Sequence, residues 1–212
     1  MSAYDVVAMF EARVAKHFGV KHGIAVDCCT SAIFLSLKYR MADEDYNNGV
    51  RRTALIPART YISVPFALMD AGLMPRFHDE EWAFRGYYDI RPWGVYDAAK
   101  LWRRPPGAVM GPRGLWCISF HIKKPIPIGR GGMILTNDAK AAAWLRKARY
   151  DGRTEGVPLA QDNITEQGWH RYMTPEQAAR GMALMDIYPD CVDIPDEEYP
   201  DLREMPVFKG AK

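Results

Sequence analysis

Short apolar runs of strand length alternate with helical patterns along most of this 212-residue chain. Runs of this kind are typical of buried strands, and here they are followed by helices rather than by tight turns. A strand-helix-strand order places the strands side by side in parallel, with helices on both faces. The sequence therefore predicts an α/β fold, a three-layer α/β/α sandwich with a mostly parallel sheet. The first four strand segments are His22 to Asp27, Thr53 to Pro57, Leu73 to Phe77 and Trp93 to Asp97.

Helical segments are indicated by apolar spacing and by terminal residues. Apolar side chains recur at helical spacing from Val7 to Phe18, and Gly19 follows as the residue that ends this helix. Near the other end, the run from Thr174 to Gln177 is a capping box with proline at the first helical position, which predicts a helix reaching about Tyr188. Further helices are expected from the turn at residues 28–31 to about 40 and over residues 61–70, with a polar loop at 41–52.

Residues 189–212 differ from the rest of the chain in being acidic and proline-rich, with little periodicity. Such a composition favours a surface-draped or loose tail. We therefore expect one α/β domain over residues 1–188 and a C-terminal tail over 189–212.

Composition narrows the possible functions. Hydrophobic residues make up 48% of the chain and charged residues 25%, which is typical of a soluble enzyme with one core. A net charge of +2 without a dense basic stripe argues against nucleic-acid binding. No apolar run approaches the ~20 residues of a membrane helix and no signal-peptide layout is present, so we expect a cytoplasmic protein that does not bind membranes. The four cysteines include no CxxC pair, and no metal site is expected.

The segment from Gly114 to Asp138 carries the most chemical information. It predicts a buried strand at residues 115–120, an irregular Pro/Gly stretch and a second strand at 133–136, after which Asn137 or Asp138 caps a helix. Two lysines thus lie in a loop between two core strands. Desolvation there disfavours the ammonium form, and a neutral amine attacks carbonyl groups as a Schiff-base lysine does. The alternative is a solvated lysine pair in a surface loop.

The same segment resembles a signature of the DegT/DnrJ/StrS-type sugar-nucleotide aminotransferases. Those enzymes use pyridoxal phosphate (PLP) on the fold-type-I aspartate aminotransferase scaffold. The resemblance implies that Lys124 is the Schiff-base lysine, with Lys123 as a neighbour, and that Ser119 donates its hydroxyl to the cofactor phosphate. Arg130 replaces the usual acidic residue. The matching residues are Ser119, Phe120, His121, Lys124, Gly129, Gly131, Gly132, Thr136, Asn137 and Asp138.

A phosphate site is expected where the first strand gives way to a helix, at Cys28 to Ser31. Backbone N–H groups at a helix N-terminus bind phosphate, and nearby hydroxyls add donors. By the family resemblance Thr30 is a phosphate ligand and Ser31 its companion, while Cys29 stands where glycine or alanine is usual. The alternative is that Thr30 is a plain helix cap.

Asp97, followed by Ala98 and Ala99, resembles the family's Asp-Ala-Ala motif. A carboxylate against the pyridine nitrogen of PLP keeps that nitrogen protonated, which makes the ring an electron sink. Lys100 stands where the family commonly has glutamine or histidine, and we expect it to bind the cofactor as well. An aspartate at the end of a strand is otherwise a turn or cap residue.

Two further cofactor-binding residues follow from the resemblance. Tyr61 lies where family members place an aromatic that stacks on the cofactor ring, although it could equally be an aromatic in the first turn of a core helix. The run from Gly168 to Met173 resembles the family's Gly-x-Asn-x-Arg-Met segment, which reaches into the partner subunit's site. His170 stands at the asparagine position and Tyr172 at the arginine position.

The resemblance covers about residues 10–184 and carries a function with it. It implies a PLP-dependent aminotransferase that moves an amino group from an amino acid, such as glutamate, to a nucleotide-linked keto sugar, and it implies a homodimer. Family members are longer, with a further strand-helix unit between the residues matching Phe77 and Trp93 and a small C-terminal domain that is largely absent here. The alternative is a truncated, non-catalytic homologue that keeps the PLP fold as a binding or assembly partner.

Overall fold

The computed structural model describes residues 4–43, 52–82, 85–103, 110–188 and 198–209. The predicted elements are present, with most ends within two residues of the expected positions. Of the predicted polar loop, residues 44–51 lie outside the described ranges. In chain order the helices and strands are α1 (Asp5–Phe18), β1 (His22–Val26), α2 (Cys29–Ala42), β2 (Thr53–Pro57), α3 (Ser63–Ala71), β3 (Met74–His78), β4 (Tyr88–Ile90), β5 (Val95–Asp97), β6 (Leu115–Ser119), β7 (Gly132–Thr136), α4 (Ala139–Ala148) and α5 (Pro175–Ile187).

Helix ends follow the predicted signals. Gly19 ends α1 in the left-handed conformation, with φ 66°. Asp138 caps α4 by accepting a hydrogen bond from the backbone N–H of Ala141 at 3.0 Å, which settles the choice between Asn137 and Asp138. The capping box at the start of α5 is complete, because Thr174 and Gln177 each bond the other's backbone N–H.

The strands form a five-stranded sheet in the order β1-β7-β6-β5-β4 and a two-stranded sheet of β2 and β3. The two sheets adjoin through an antiparallel bridge between Leu55 and Arg91. In that bridge the N–H of Leu55 donates to the carbonyl of Arg91 at 2.9 Å, and the reverse bond is 3.1 Å long. Seven strands therefore lie side by side.

The sheet is mixed, so the prediction of a mostly parallel sheet is wrong. Among the described strand pairs, β2–β3 and β5–β6 are parallel, whereas β1–β7, β4–β5 and β6–β7 are antiparallel. Parallel neighbours need a crossover, usually a helix, while a direct return reverses the strand. Residues 91–94 join β4 to β5 and residues 120–131 join β6 to β7, in both cases without a helix.

Helices cover both faces of the sheet, which confirms the α/β class and the three layers. Alternate residues of a strand point to opposite faces. Ile24, Cys117 and Ile134 belong to the apolar core under α2, α3 and α4. Their neighbours Ala25, Ile118 and Met133 belong to a second core under α1 and α5. In the described ranges, no helix is long and apolar enough to cross a membrane.

The C-terminal tail was expected to be surface-draped or loose, and residues 198–209 of it are docked on the domain. Leu202 is fully buried, and its N–H donates to the carbonyl of Ala58 at 2.9 Å. The ring of Phe208 lies 5.6 Å from that of Phe66 and 5.5 Å from that of Phe77. A few apolar anchors are enough to dock such a segment, although its overall composition is polar. The remaining residues of the predicted tail, 189–197 and 210–212, lie outside the described ranges.

Candidate active site

A cavity of about 340 Å³ lies beyond the carboxyl ends of four strands. In α/β sheets, ligands bind in the crevice at these strand ends, and about 300–1,000 Å³ is typical of small-molecule sites. The strands β1, β2, β5 and β6 each deliver the residues that follow them to this cavity. Lining residues from these connections are Cys28, Cys29, Thr30, Thr60, Tyr61, Asp97, Ala99, Ser119, His121, Lys123 and Lys124.

Asp97 lies at the end of β5 and is only 4% exposed. Its Oδ1 accepts a hydrogen bond from the N–H of Ala99 at 3.0 Å, and its Oδ2 accepts one from the hydroxyl of Tyr88 at 2.9 Å. The Tyr88 oxygen lies 2.7 Å from Oγ1 of Thr60. Because the single Tyr88 proton is donated to Asp97, Thr60 is the donor in this second bond. The carboxylate is thus held in one orientation by neutral groups.

The electrostatics of Asp97 reflect that environment. Burial raises the pKa of Asp97, and the N–H of Ala99, the hydroxyl of Tyr88 and the charge of Lys124 offset this rise only in part. Burial and the neighbouring Asp97 charge likewise hold the pKa of the Tyr88 phenol well above its ordinary value. A buried carboxyl group with a raised pKa beside a cavity is typical of functional sites.

Lys124 lies in the turn that follows β6, where its N–H donates to the carbonyl of His121 at 2.8 Å. Its side chain is half-buried and lines the cavity, whereas Lys123 is exposed. Burial raises the pKa of the Cys29 thiol, and the charge of Lys124 lowers it again in part. The same charge also lowers the raised pKa of Asp97 in part.

The N-terminus of α2 forms another wall. Cys28 is the capping residue, because its Sγ accepts from the N–H of Ser31 at 3.4 Å. Thr30 is therefore not the helix cap, and its Oγ1 shares a hydrogen bond of 2.8 Å with Oγ of Ser63. Both hydroxyls line the cavity. The first residue of β7 must be glycine, since a Cβ on Gly132 would lie 2.5 Å from the carbonyl carbon of Cys28.

Six of the nine predicted site residues line this single cavity: Cys29, Thr30, Tyr61, Asp97, Ser119 and Lys124. Tyr61 is 58% exposed at the rim, so it is not an aromatic of the core. Ser119 accepts a bond from the N–H of His121 at 3.3 Å. The roles assigned to these residues stay predictions.

The other three predicted residues lie elsewhere. Ser31 is fully buried behind the α2 turn and accepts a hydrogen bond from Arg171 at 3.0 Å. Lys100 is buried behind the wall, with its Nζ 5.7 Å from the ring centroids of both Trp82 and Tyr199. His170 is exposed and bonds Asp151 at 2.8 Å, outside the cavity.

Sequence reasoning missed several groups at the site: Tyr88 and Thr60 beside Asp97, Ser63 beside Thr30, and Trp82 and Tyr199 in the wall. Thr60 directly precedes the predicted Tyr61, and this adjacency was the one available signal. Tyr88 lies on β4, which has only three residues and no clear strand pattern. Tyr199 comes from the segment expected to be a surface-draped or loose tail.

PLP fits these residues. Each Asp97 oxygen has one donor, and a carboxylate oxygen can accept two, so the group can still accept the N–H of a pyridinium ring. Hydroxyls of Thr30 and Ser63 at a helix N-terminus suit a phosphate. Lys124 supplies the amine that an aldehyde requires.

The fold and this combination of lysine, carboxylate and helix N-terminus are typical of the large domain of fold-type-I, PLP-dependent aminotransferases. The chain belongs to the DegT/DnrJ/EryC1/StrS aminotransferase family, whose sequence profile matches residues 1–83 and 107–192. The predicted family is confirmed, and PLP is the cofactor of that family. No curated protein matches the chain significantly.

Solved structures agree with this fold. CalS13, a sugar aminotransferase from Micromonospora echinospora, is similar with a TM-score of 0.71 and 19% identity, over 85% of this chain and 60% of that one. AtS13 from Actinomadura melliaura is similar with a TM-score of 0.70 and 19% identity, over 85% of this chain and 59% of that one. PseC from Helicobacter pylori is an aminotransferase involved in pseudoaminic acid biosynthesis. It is similar with a TM-score of 0.67 and 18% identity, over 85% of this chain and 57% of that one. This chain thus spans about three-fifths of the length of these proteins.

Proposed function

We propose that this protein binds PLP in the cavity and transfers an amino group from an amino acid, such as glutamate, to a nucleotide-linked keto sugar. One observation carries the proposal: Lys124, Asp97 and Thr30 come from three separate strand connections and line the same cavity. The sugar class of acceptor is supported by relatives such as CalS13, whose name identifies it as a sugar aminotransferase.

Each group would have a distinct task. PLP, when bound, supplies a pyridinium ring that withdraws electrons from the substrate carbon bearing the amino group. Asp97 would hold the proton on the ring nitrogen, and Tyr88 and Thr60 would keep the Asp97 carboxylate oriented. Thr30, with backbone N–H groups in the first turn of α2, would bind the phosphate. Lys124 would attach the cofactor through Nζ and, once released, would take the proton from the amino-bearing carbon of the donor and deliver it to C4′ of the cofactor.

We also propose a homodimer, in which the segment at residues 168–173 reaches the site of a partner subunit. The His170 side chain is 71% exposed, which leaves it accessible to a second chain. This accounts for its distance from the cavity within one subunit.

The test of the proposed function is the position at which PLP attaches. PLP added to the purified protein should give a visible absorbance band, and borohydride should fix the label on Lys124. Lys124→Ala should lose the band, whereas the matched control Lys123→Ala should keep it. Glutamate should then convert the band, and a keto-sugar nucleotide should accelerate turnover.

Three outcomes would contradict the proposal. Label recovered on Lys123, or no band at all, would remove Lys124 from its role. A bound cofactor that no amino donor changes would instead support the non-catalytic homologue.

A further inference from the structure

Residues 198–209, here called the C-terminal segment, contribute Tyr199 to the lining of the cavity. This segment is far from Asp97 and Lys124 in the sequence, and no catalytic motif includes it. The contacts that hold the C-terminal segment therefore determine its position at the cavity.

Docking of the C-terminal segment depends on one backbone bond and a few side chains. Leu202 is fully buried, and its N–H bonds the carbonyl of Ala58, which directly follows β2. Arg203 bonds Asp201 at 2.6 Å and Asp79 at 2.7 Å, the latter just beyond β3. With Phe208 packed on Phe77, the segment is fixed to the connections that follow both β2 and β3.

These contacts hold Tyr199 in the cavity wall. Its ring lies nearly parallel to that of Trp82, at an interplanar angle of 16° and a centroid distance of 6.1 Å. The Lys100 ammonium lies 5.7 Å from both centroids, which favours this arrangement through cation–π attraction. Arg59 donates to the carbonyl of Tyr199 at 3.4 Å and accepts from the indole N–H of Trp82 at 2.9 Å.

The same wall supports the groups around Asp97. The Trp82 ring packs edge-on against Tyr88 at 4.9 Å, and Tyr88 donates to Asp97. Tyr199 is thus the outer member of a stack that reaches the buried carboxylate through Trp82 and Tyr88. Removing its ring would widen the cavity while leaving Tyr88 and Asp97 in place.

We propose that the C-terminal segment forms one wall of the active site and that Tyr199 determines the size of the molecules that the cavity admits. The proposal rests on the proposed function only in naming the cavity an active site. In that role Tyr199 limits the bulk of the acceptor that can enter the cavity.

The thiols of Cys28 and Cys29 allow a test without PLP, because both residues line the cavity. Cofactor-free protein carrying Cys191→Ser would be treated with methyl methanethiosulfonate, a small reagent, and with pyrene maleimide, a bulky one. Peptide mapping would follow modification of Cys28 and Cys29. We expect Tyr199→Ala to raise the pyrene maleimide rate by about tenfold and the small-reagent rate by less than about twofold, since the small reagent already enters.

Matched variants distinguish a specific effect of the cavity wall from a general loosening of the protein structure. Tyr199→Phe keeps the ring and should react like the parent, as should Tyr188→Ala, which removes a tyrosine outside the lining that is 39% exposed. Leu202→Asp should undock the segment and accelerate both reagents, while Val207→Asp, at a position that is 55% exposed, should not. Circular dichroism would confirm that each variant is folded.

Unchanged rates in Tyr199→Ala would overturn the proposal, and so would equal acceleration of both reagents in that variant. Unchanged rates in Leu202→Asp would show that the segment is not a wall. Because no cofactor is present in this assay, its failure is distinct from a failure to bind PLP.

Discussion

Among the buried carboxylates of the described residues, Glu11 on α1 and Asp97 at the end of β5 can be compared directly, with 6% and 4% exposure. Each accepts a backbone hydrogen bond, Glu11 from Ala25 at 2.8 Å and Asp97 from Ala99 at 3.0 Å. The two carboxylates differ in their second hydrogen-bond partner. Glu11 is bonded to the guanidinium of Arg149, which is itself buried, whereas Asp97 is bonded to the neutral hydroxyl of Tyr88.

The difference distinguishes a carboxylate that is hydrogen-bonded to a buried counter-charge from one that is hydrogen-bonded only to neutral groups. A buried charge is costly unless an opposite charge or several hydrogen bonds accompany it. Glu11 has its counter-charge in the chain, and Arg149 also bonds the carbonyl of Ala25 at 2.6 Å and Glu155 at 2.9 Å. Asp97 keeps a raised pKa despite the charge of Lys124. We infer that the pyridinium of PLP supplies the remaining counter-charge at Asp97.

The largest expected effect comes from removing the charge of Asp97. Asp97→Asn should leave the fold intact but slow the glutamate half-reaction by about a thousandfold or more, because an amide cannot hold the ring proton electrostatically. The matched control is Asp89→Asn on β4, where burial also raises the pKa of the carboxyl but the side chain lies outside the cavity lining. Stopped-flow absorbance measures the rate. Near-normal turnover in Asp97→Asn would make Asp97 a turn residue.

A second prediction concerns the structural pair. Arg149→Met should lower the free energy of unfolding by about 3–5 kcal/mol, because it leaves the Glu11 carboxylate buried without its counter-charge. Adding Glu11→Gln should restore most of that loss. Urea denaturation measures both variants. If the double variant is as unstable as Arg149→Met alone, then the loss comes from other Arg149 contacts, and the contrast with Asp97 weakens.

The sequence predicted the part of the site that is encoded in contiguous motifs. Asp97 and Lys124 follow strands that the apolar pattern reveals, and their neighbours resemble a family signature. Tyr88 and Tyr199 were not predicted, because they reach the site through contacts between distant segments that leave no periodic signal. The path of the C-terminal segment was not predicted, because a few anchors such as Leu202 fix it, whereas composition averages over the whole stretch.

The fold, like the site, could be predicted only in part. Strand and helix positions were predicted well, since both depend on local spacing and capping. Strand direction was not, because it depends on how each strand is connected. The stretch between β6 and β7 has prolines and glycines but no helical pattern, which was a usable sign of an antiparallel return. The short β4 offered only three residues.

The smallest expected effect is a pH dependence of stability at Asp97. Burial raises the folded-state pKa of Asp97 above its ordinary value of 3.8, so the folded protein holds this proton more tightly than the unfolded chain does. Stability of the cofactor-free protein should therefore fall as the pH rises from about that value through the folded pKa. Asp97→Asn has no such proton, so its melting temperature relative to the parent should increase by a few degrees between about pH 4 and pH 7. Thermal melts across this range measure the difference, and a difference that does not change with pH would show that the Asp97 carboxylate is as well compensated within the chain as that of Glu11.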